Sequence, residues 1–468
     1  MGSVAARGDA AAIAAVCARL EHGREEVRRA AVRGVQQVAE KGDRCAIDEV
    51  VARLRHPRRE TRDAALLALM QAADRGDAHA TSASAVLTED PEGVAREWGA
   101  KALGQVAGSG DEIAISAVGG RLEDPLEDVR SAAVEAIGRI VPKGHRHAIS
   151  TVCLRLEHTS EDTRAAATRA LPRVAEKNDA FAVDEVCLRL EHAEEAVRLA
   201  AYRALARVAE RGDEHAIEAV ALRLEHAEGE VRRVAVKALR QVAEAGDPHA
   251  IAVVSERLEH RDGKVRQAAV RGLARVAERG DACALEATAS RLEHHESEAR
   301  EAAVEALARV SRVGDKRGIQ LVSARLEDRD LFVRKAAVRG LAEVARKGDA
   351  HAIDAVSLRL EHRDGGVRQA AVRGLSQVAL RGDARAIEAV SLRLEHRDGS
   401  VRRAAARGLS QVAQRNDQRA MGEVISRLSH EDAEVREGAK LALRQLSDKG
   451  NERAMVSLAR AWSTGMVR

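Results

Sequence analysis

A loop dipeptide, Gly or Asn followed by a polar residue, begins at Gly8, Gly42, Gly76, Gly110, Gly144, Asn178, Gly212, Gly246, Gly280, Gly314, Gly348, Gly382, Asn416 and Gly450. Every step is 34 residues, so 13 complete repeats fill residues 8–449 without insertion or deletion. No other feature constrains the fold as tightly. A segment of this length holds only a small supersecondary structure and buries its apolar face by stacking on its neighbours.

With the Gly as position 1, the repeat Gly348–Arg381 predicts two helices. Ile353, Val356 and Leu360 share one face of the first, and Asp349 is placed to cap it. Val367, Ala371, Leu375 and Val378 share a face of the second. The polar stretch from His362 to Gly366 reads as the turn between them. The chain has only five aromatic residues (Phe181, Phe332, Trp98, Trp462 and Tyr202), so small aliphatic side chains must do the packing. Position 24 is Ala in every repeat except for Gly99, and position 27 is always Ala or Gly, with Gly at 34, 272, 340, 374 and 408. Gly inside a helix costs about 1 kcal/mol relative to Ala, which predicts a neighbouring backbone passing close by.

Position 21 is Arg in all 13 repeats and falls within the apolar arc of the second helix. A partly buried guanidinium needs a partner, and the acids of the loop dipeptide are the candidates. The expectation is a ladder joining Arg266, Arg334 and Arg368 and their equivalents to Asp281, Asp349 and Asp383 and theirs, with a gap at His145.

The turn Leu122-Glu123-Asp124-Pro125 and the helix start Val265-Arg266-Gln267-Ala268-Ala269-Val270 resemble HEAT repeats of the phycobilisome-lyase-like type, over essentially the whole chain. The resemblance implies an all-α, right-handed α-solenoid of 13 two-helix repeats plus terminal half-repeats. Residues 1–468 then form a single array, with 1–7 the end of a truncated helix and 450–468 a final single helix. Most turns carry His where the HEAT pattern has Asp. The Trp, Gly-Tyr and Phe positions of tetratricopeptide repeats are missing.

Little in the sequence points to catalysis. The turn histidines (His22, His56, His158, His192, His226, His260, His294, His362, His396 and His430) recur once per repeat, roughly 8–10 Å apart on stacked helices. That is too far to share a zinc ion bound at about 2 Å, so they read as turn caps. A second set, His79, His147, His215, His249 and His351, lies in the first turn of the first helix. Deoxyhypusine hydroxylases, built on similar repeats, would imply His-Glu pairs at the start of second helices, but here those positions are Arg29-Ala30, Gln267-Ala268 and Gln369-Ala370. Phycobilin lyases offer no catalytic residue to carry over. The reading is non-enzymatic, with no cofactor and no metal, and a lyase-type or hydroxylase-related factor is the alternative. The Arg-Gly-Asp triplets starting at Arg7, Arg75, Arg211, Arg279 and Arg381 read as helix ends and caps, not adhesion motifs.

A net charge of +3 gives no global attraction to nucleic acid or membrane, and no apolar run is long enough to span a bilayer. Five scattered cysteines fit free thiols in the cytoplasm or another reducing compartment. The informative surface is the exposed arc of the second helix. Position 26 is basic in nine repeats: Arg33, Lys101, Arg169, Arg203, Lys237, Arg271, Arg339, Arg373 and Arg407. Position 30 adds Gln241, Gln377 and Gln411 among other Gln and Arg residues. In solenoids of the resembled type the second helix lines the inner curve, so the band would extend about 130 Å at roughly 10 Å per repeat. It suits an extended acidic protein segment. Nucleic acid is the weaker expectation because stacking aromatics are lacking, and a structural spacer is the remaining alternative. Trp98, and Trp462 and Met466 near the C-terminus, are further candidate contacts, and Pro172 is expected to bend its helix.

Overall fold

The computed structural model describes residues 6–447 and Val456. The expected terminal half-repeats, Trp462 and Met466 fall outside those residues, apart from Ala6, Arg7 and Val456. Among the described residues all regular structure is helical. In each repeat a first helix, A, begins at position 3, and a second helix, B, takes positions 18–31. Repeat 11 has A at Ala350–Leu358, a single 3-10 turn at Arg359–Glu361, and B at Gly365–Val378.

Local chemistry sets these boundaries. The Asp349 carboxylate accepts from the Ala352 N–H at 3.0 Å and so caps helix A. The preceding Gly348 has φ 84°, a left-handed conformation that Gly adopts without steric cost. Asn178 (φ 62°) and Asn416 (φ 58°) do the same in their repeats. At each of these points the N–H donates to the carbonyl at position 31 of the same repeat, as from Gly348 to Val378 at 2.7 Å. That bond ties the loop entering a repeat to the end of its own B helix.

The core repeats with the same period. Ile353, Val356, Leu360, Ala371, Leu375 and Val378 are fully buried, as are their counterparts in most repeats. The recurrent B-helix glycines face a valine of their own A helix. A Cβ on Gly374 would lie 3.1 Å from Val356 Cγ1, and one on Gly408 3.1 Å from Val390 Cγ1. The close neighbour is therefore a side-chain methyl, where a backbone was expected. Pro172 lies inside helix Glu161–Val174, which remains helical through it.

The described helices form two compact units, Met1–Val242 and Ala243–Arg468, which meet in sequence where repeat 7 gives way to repeat 8. No helix among the described residues is long and apolar enough to cross a membrane.

Candidate functional site

The constant arginine at position 21 binds its own turn. Arg368 Nη1 donates to the carbonyls of His362 at 2.6 Å and Arg363 at 2.8 Å. Arg266 does so to His260 and Arg261, and Arg334 to Asp328 and Arg329. These carbonyls lie where the A segment ends and its last C=O groups lack helical partners, so a guanidinium inserted there satisfies both sides. The expected pairing with loop acids does not occur. Asp281, Asp349 and Asp383 accept from the backbone N–H groups of Ala284, Ala352 and Ala386, so their carboxylates are committed to N-caps.

Two position-21 arginines find a bidentate carboxylate in the turn of the next repeat, whereas Arg62 leaves the turn aspartate of repeat 3, Asp90, to Arg55. Arg96 Nε and Nη2 reach Asp124 at 2.6 and 3.1 Å, and Arg300 reaches Asp328 at 2.8 and 3.0 Å. Each Asp loses solvation by burial, but the arginine hydrogen bond and a backbone N–H outweigh that loss and hold the carboxyl below its ordinary range.

The turn histidines do the work of an aspartate. All ten accept at Nδ1 from the backbone N–H two residues on, at 3.0 to 3.1 Å, as His362 does from Asp364. Asp90, Asp124 and Asp328 accept the equivalent bond. An imidazole accepting at Nδ1 carries its proton on Nε2. Of the second histidine set, His79 meets Asp48 at 2.8 Å and His215 meets Asp184 at 2.9 Å, each on the preceding A helix. Among the described residues no group of three or more metal-ligating side chains converges.

Sequence reasoning missed a second ladder, although Arg-Leu-Glu at positions 12–14 of ten repeats carried its signal. Arg189 Nε lies 2.9 Å from Glu157 of the preceding repeat, Arg223 lies 2.9 Å from Glu191, and Arg393 lies 2.8 Å from Glu361. Their Nε–H groups are not aimed at the carboxylates, so these contacts are ion pairs without an aligned hydrogen bond. The joint between repeats 2 and 3 departs from the rule. Leu87 replaces the arginine and Arg55 the glutamate, and Arg55 instead pairs with Asp90 at 2.9 Å. Trp98 sits in this neighbourhood, 3% exposed, with Lys101 Nζ 4.3 Å and the Arg62 guanidinium 5.3 Å from its ring. It is a core residue and not the surface contact the sequence allowed.

Arg33, Arg169, Arg203, Lys237, Arg271, Arg339, Arg373 and Arg407 are exposed on B helices, and Lys101 is half-buried against Glu97. Gln411 is exposed, while Gln241 and Gln377 are half-buried. In the N-terminal unit the face is mixed. Lys101 shares a groove of about 380 Å³ with Leu66, Glu97, Asp128, Glu135 and Arg139, and Arg203 lies 3.8 Å from Glu161. In the C-terminal unit the face is mixed around Arg266, where Glu298, Glu301 and Glu305 line the groove, but in repeats 10–12 the structure gathers the predicted residues. A groove of about 470 Å³ is lined by Gln369, Arg373, Ser376, Arg407 and Gln411. Beside it, Arg334, Lys335, Arg339 and Arg373 line another of about 230 Å³. Neither lining includes an acidic side chain. Arg339 is also held by Glu305 at 2.7 Å and Glu301 at 3.2 Å, whereas Arg373 and Arg407 form no ion pair among the described residues.

The family model for HEAT repeats matches residues 13–104, 81–172, 149–240, 183–274, 217–308, 251–342 and 324–410. The chain belongs to the HEAT-repeat family. A search of curated proteins finds no match. Among solved structures it is similar to an engineered protein at 17% identity and TM-score 0.26, covering 93% of this chain and 98% of that one. It is also similar to the karyopherin Kap121p bound to Pho4p, at 13% identity and TM-score 0.38, covering 93% of this chain and 53% of that one. Importin beta matches at 15% identity and TM-score 0.32, with coverage of 93% and 66%. The chain thus spans about half of Kap121p and two thirds of importin beta.

Proposed function

We propose that this HEAT-repeat protein is a non-enzymatic scaffold that holds an extended acidic protein segment on the B-helix face of repeats 10–12. The observation that carries this reading is the pair of adjoining grooves whose linings share Arg373 and Gln369 and lack any acidic side chain. Helices Leu331–Val344, Gly365–Val378 and Gly399–Val412 present Arg339, Arg373 and Arg407, at roughly one helix-packing distance per repeat. An extended peptide advances about 3.3 Å per residue, so it passes a new basic group about every three residues. Gln369, Gln411 and Ser376 add hydrogen bonds to its backbone. Arg271 and the mixed face of the N-terminal unit, with Arg33, Lys101, Arg169, Arg203, Lys237 and Gln241, play a lesser part. The subtype is assigned as phycobilisome-lyase-like on the Leu122–Pro125 turn, and the location as a reducing compartment on the unpaired cysteines, of which Cys17, Cys153 and Cys187 are buried.

Fluorescence anisotropy with a labelled octaglutamate peptide tests the reading. The variant Arg373→Glu/Arg407→Glu, checked for native helicity, is expected to bind at least about tenfold more weakly, since like charges replace attraction at two contacts. Equal affinity would contradict the proposed face.

A further inference from the structure

We infer that Arg334 is the anchor of this face and takes one carboxylate side chain of the bound segment, an inference that rests on the reading above. The chain itself shows what the outer edge of a position-21 guanidinium binds. Arg96 and Arg300 present Nε and Nη2 to Asp124 and Asp328 of the next repeat, and Arg402 presents Nη2 to Glu434 at position 19 of the next. Arg334 is prepared in the same way. Its Nη1 is fixed by the carbonyls of Asp328 at 2.7 Å and Arg329 at 3.0 Å, which aims the opposite edge at repeat 11.

Repeat 11 supplies no hydrogen-bonded carboxylate to that edge. Position 15 is His362, whose Nδ1 accepts from the Asp364 N–H, and position 19 is Gly366. The neighbouring acid, Asp364, accepts from the Gly366 N–H at 2.6 Å, and it feels the Arg334 charge without accepting a hydrogen bond from it. Arg334 Nε is buried without a hydrogen-bond partner, and a buried donor left so is costly. A Cβ at Gly366 would lie 2.8 Å from Arg334 Nη2, so the glycine keeps the approach to the guanidinium clear. Arg334, Lys335, Arg339, Gly366, Gln369 and Arg373 line the resulting groove of about 230 Å³. That is below the roughly 300 Å³ at which small-molecule pockets begin, so it suits a single side chain. A carboxylate can meet Arg334 Nη2 here as Glu434 meets Arg402, with Lys335 and Arg373 adding charge.

The test fills the site from within. Gly366→Glu puts a carboxylate at the position from which Glu434 meets Arg402, at the start of a helix, where an acid is favourable. Binding of the labelled octaglutamate is expected to fall at least about tenfold in Gly366→Glu and by clearly less in Gly366→Gln, which fills the same space without the charge. Arg407→Glu, one repeat away, reports on the wider face alone. A loss with Arg407→Glu but equal affinity in the two Gly366 variants would overturn the anchor and leave the face standing. Absence of binding by the native chain would overturn both. Tighter binding of a single-stranded RNA of equal charge, weakened by Gly366→Glu, would overturn the assignment to a peptide carboxylate.

Discussion

Truncating Arg300 (Arg300→Ala) is expected to destabilise the C-terminal unit by about 3 kcal/mol in chemical denaturation. Arg300 and Asp328 each have only 6% of their side chain exposed and share two hydrogen bonds. Removing the guanidinium leaves a buried carboxylate uncompensated, and it also frees the His294 and His295 carbonyls that Nη1 satisfies. Arg368→Ala frees the equivalent carbonyls but orphans no carboxylate, so its cost should be nearer about 1 kcal/mol. Equal losses in the two variants would show that the carboxylate adds nothing. Acid should mimic the first variant. The carboxyl of Asp328 is held below its ordinary range, so its contribution is complete above about pH 4 and disappears as pH falls through the depressed value.

Trp98→Ala is expected to cost about 3 kcal/mol or more and to open repeats 2 and 3 ahead of the rest of the N-terminal unit. The indole is buried where nearly every other repeat has a small residue, at the joint where Leu87 replaces the ladder arginine. Two features add to the dependence on it. Thr81 and Ser84 stand where other repeats have mainly Ile or Val, and their hydroxyls are buried without partners. The substituting pair Arg55–Asp90 has a half-exposed arginine and contributes little. In a repeat array, stability is a sum of local and nearest-neighbour terms, so hydrogen exchange should report the loss within residues 42–109. Unchanged exchange there would refute this role for Trp98.

The fold was readable because its determinants are local and recur. The left-handed Gly or Asn, the Asp N-cap and the apolar faces of A and B all appear in repeat 11 at the residues the period assigns. Position 21 was legible as a buried arginine in need of partners, but not which partners. Asp349 is close in sequence to free N–H groups and is consumed by them, and the turn carbonyls that meet Arg368 are backbone groups that no residue code announces. The Arg-Leu-Glu ladder escaped because its partners are 32 residues apart, as in Arg189 and Glu157. Helical projection of one repeat does not bring them together. The basic face was legible as composition, but its concentration was not. Only the structure shows Glu135 and Asp128 beside Lys101 in one unit, and acid-free grooves around Arg373 in the other.

The central claim is the location of the acidic segment. An octaglutamate peptide carrying a photo-activated cross-linker at one end, irradiated on the native chain and mapped by mass spectrometry, tests it most directly. The account predicts attachment within residues 331–412, centred on the B helices of repeats 10–12, and its disappearance at high salt. Attachment spread over both units in proportion to exposed Lys and Arg, or concentrated on A helices, would contradict it.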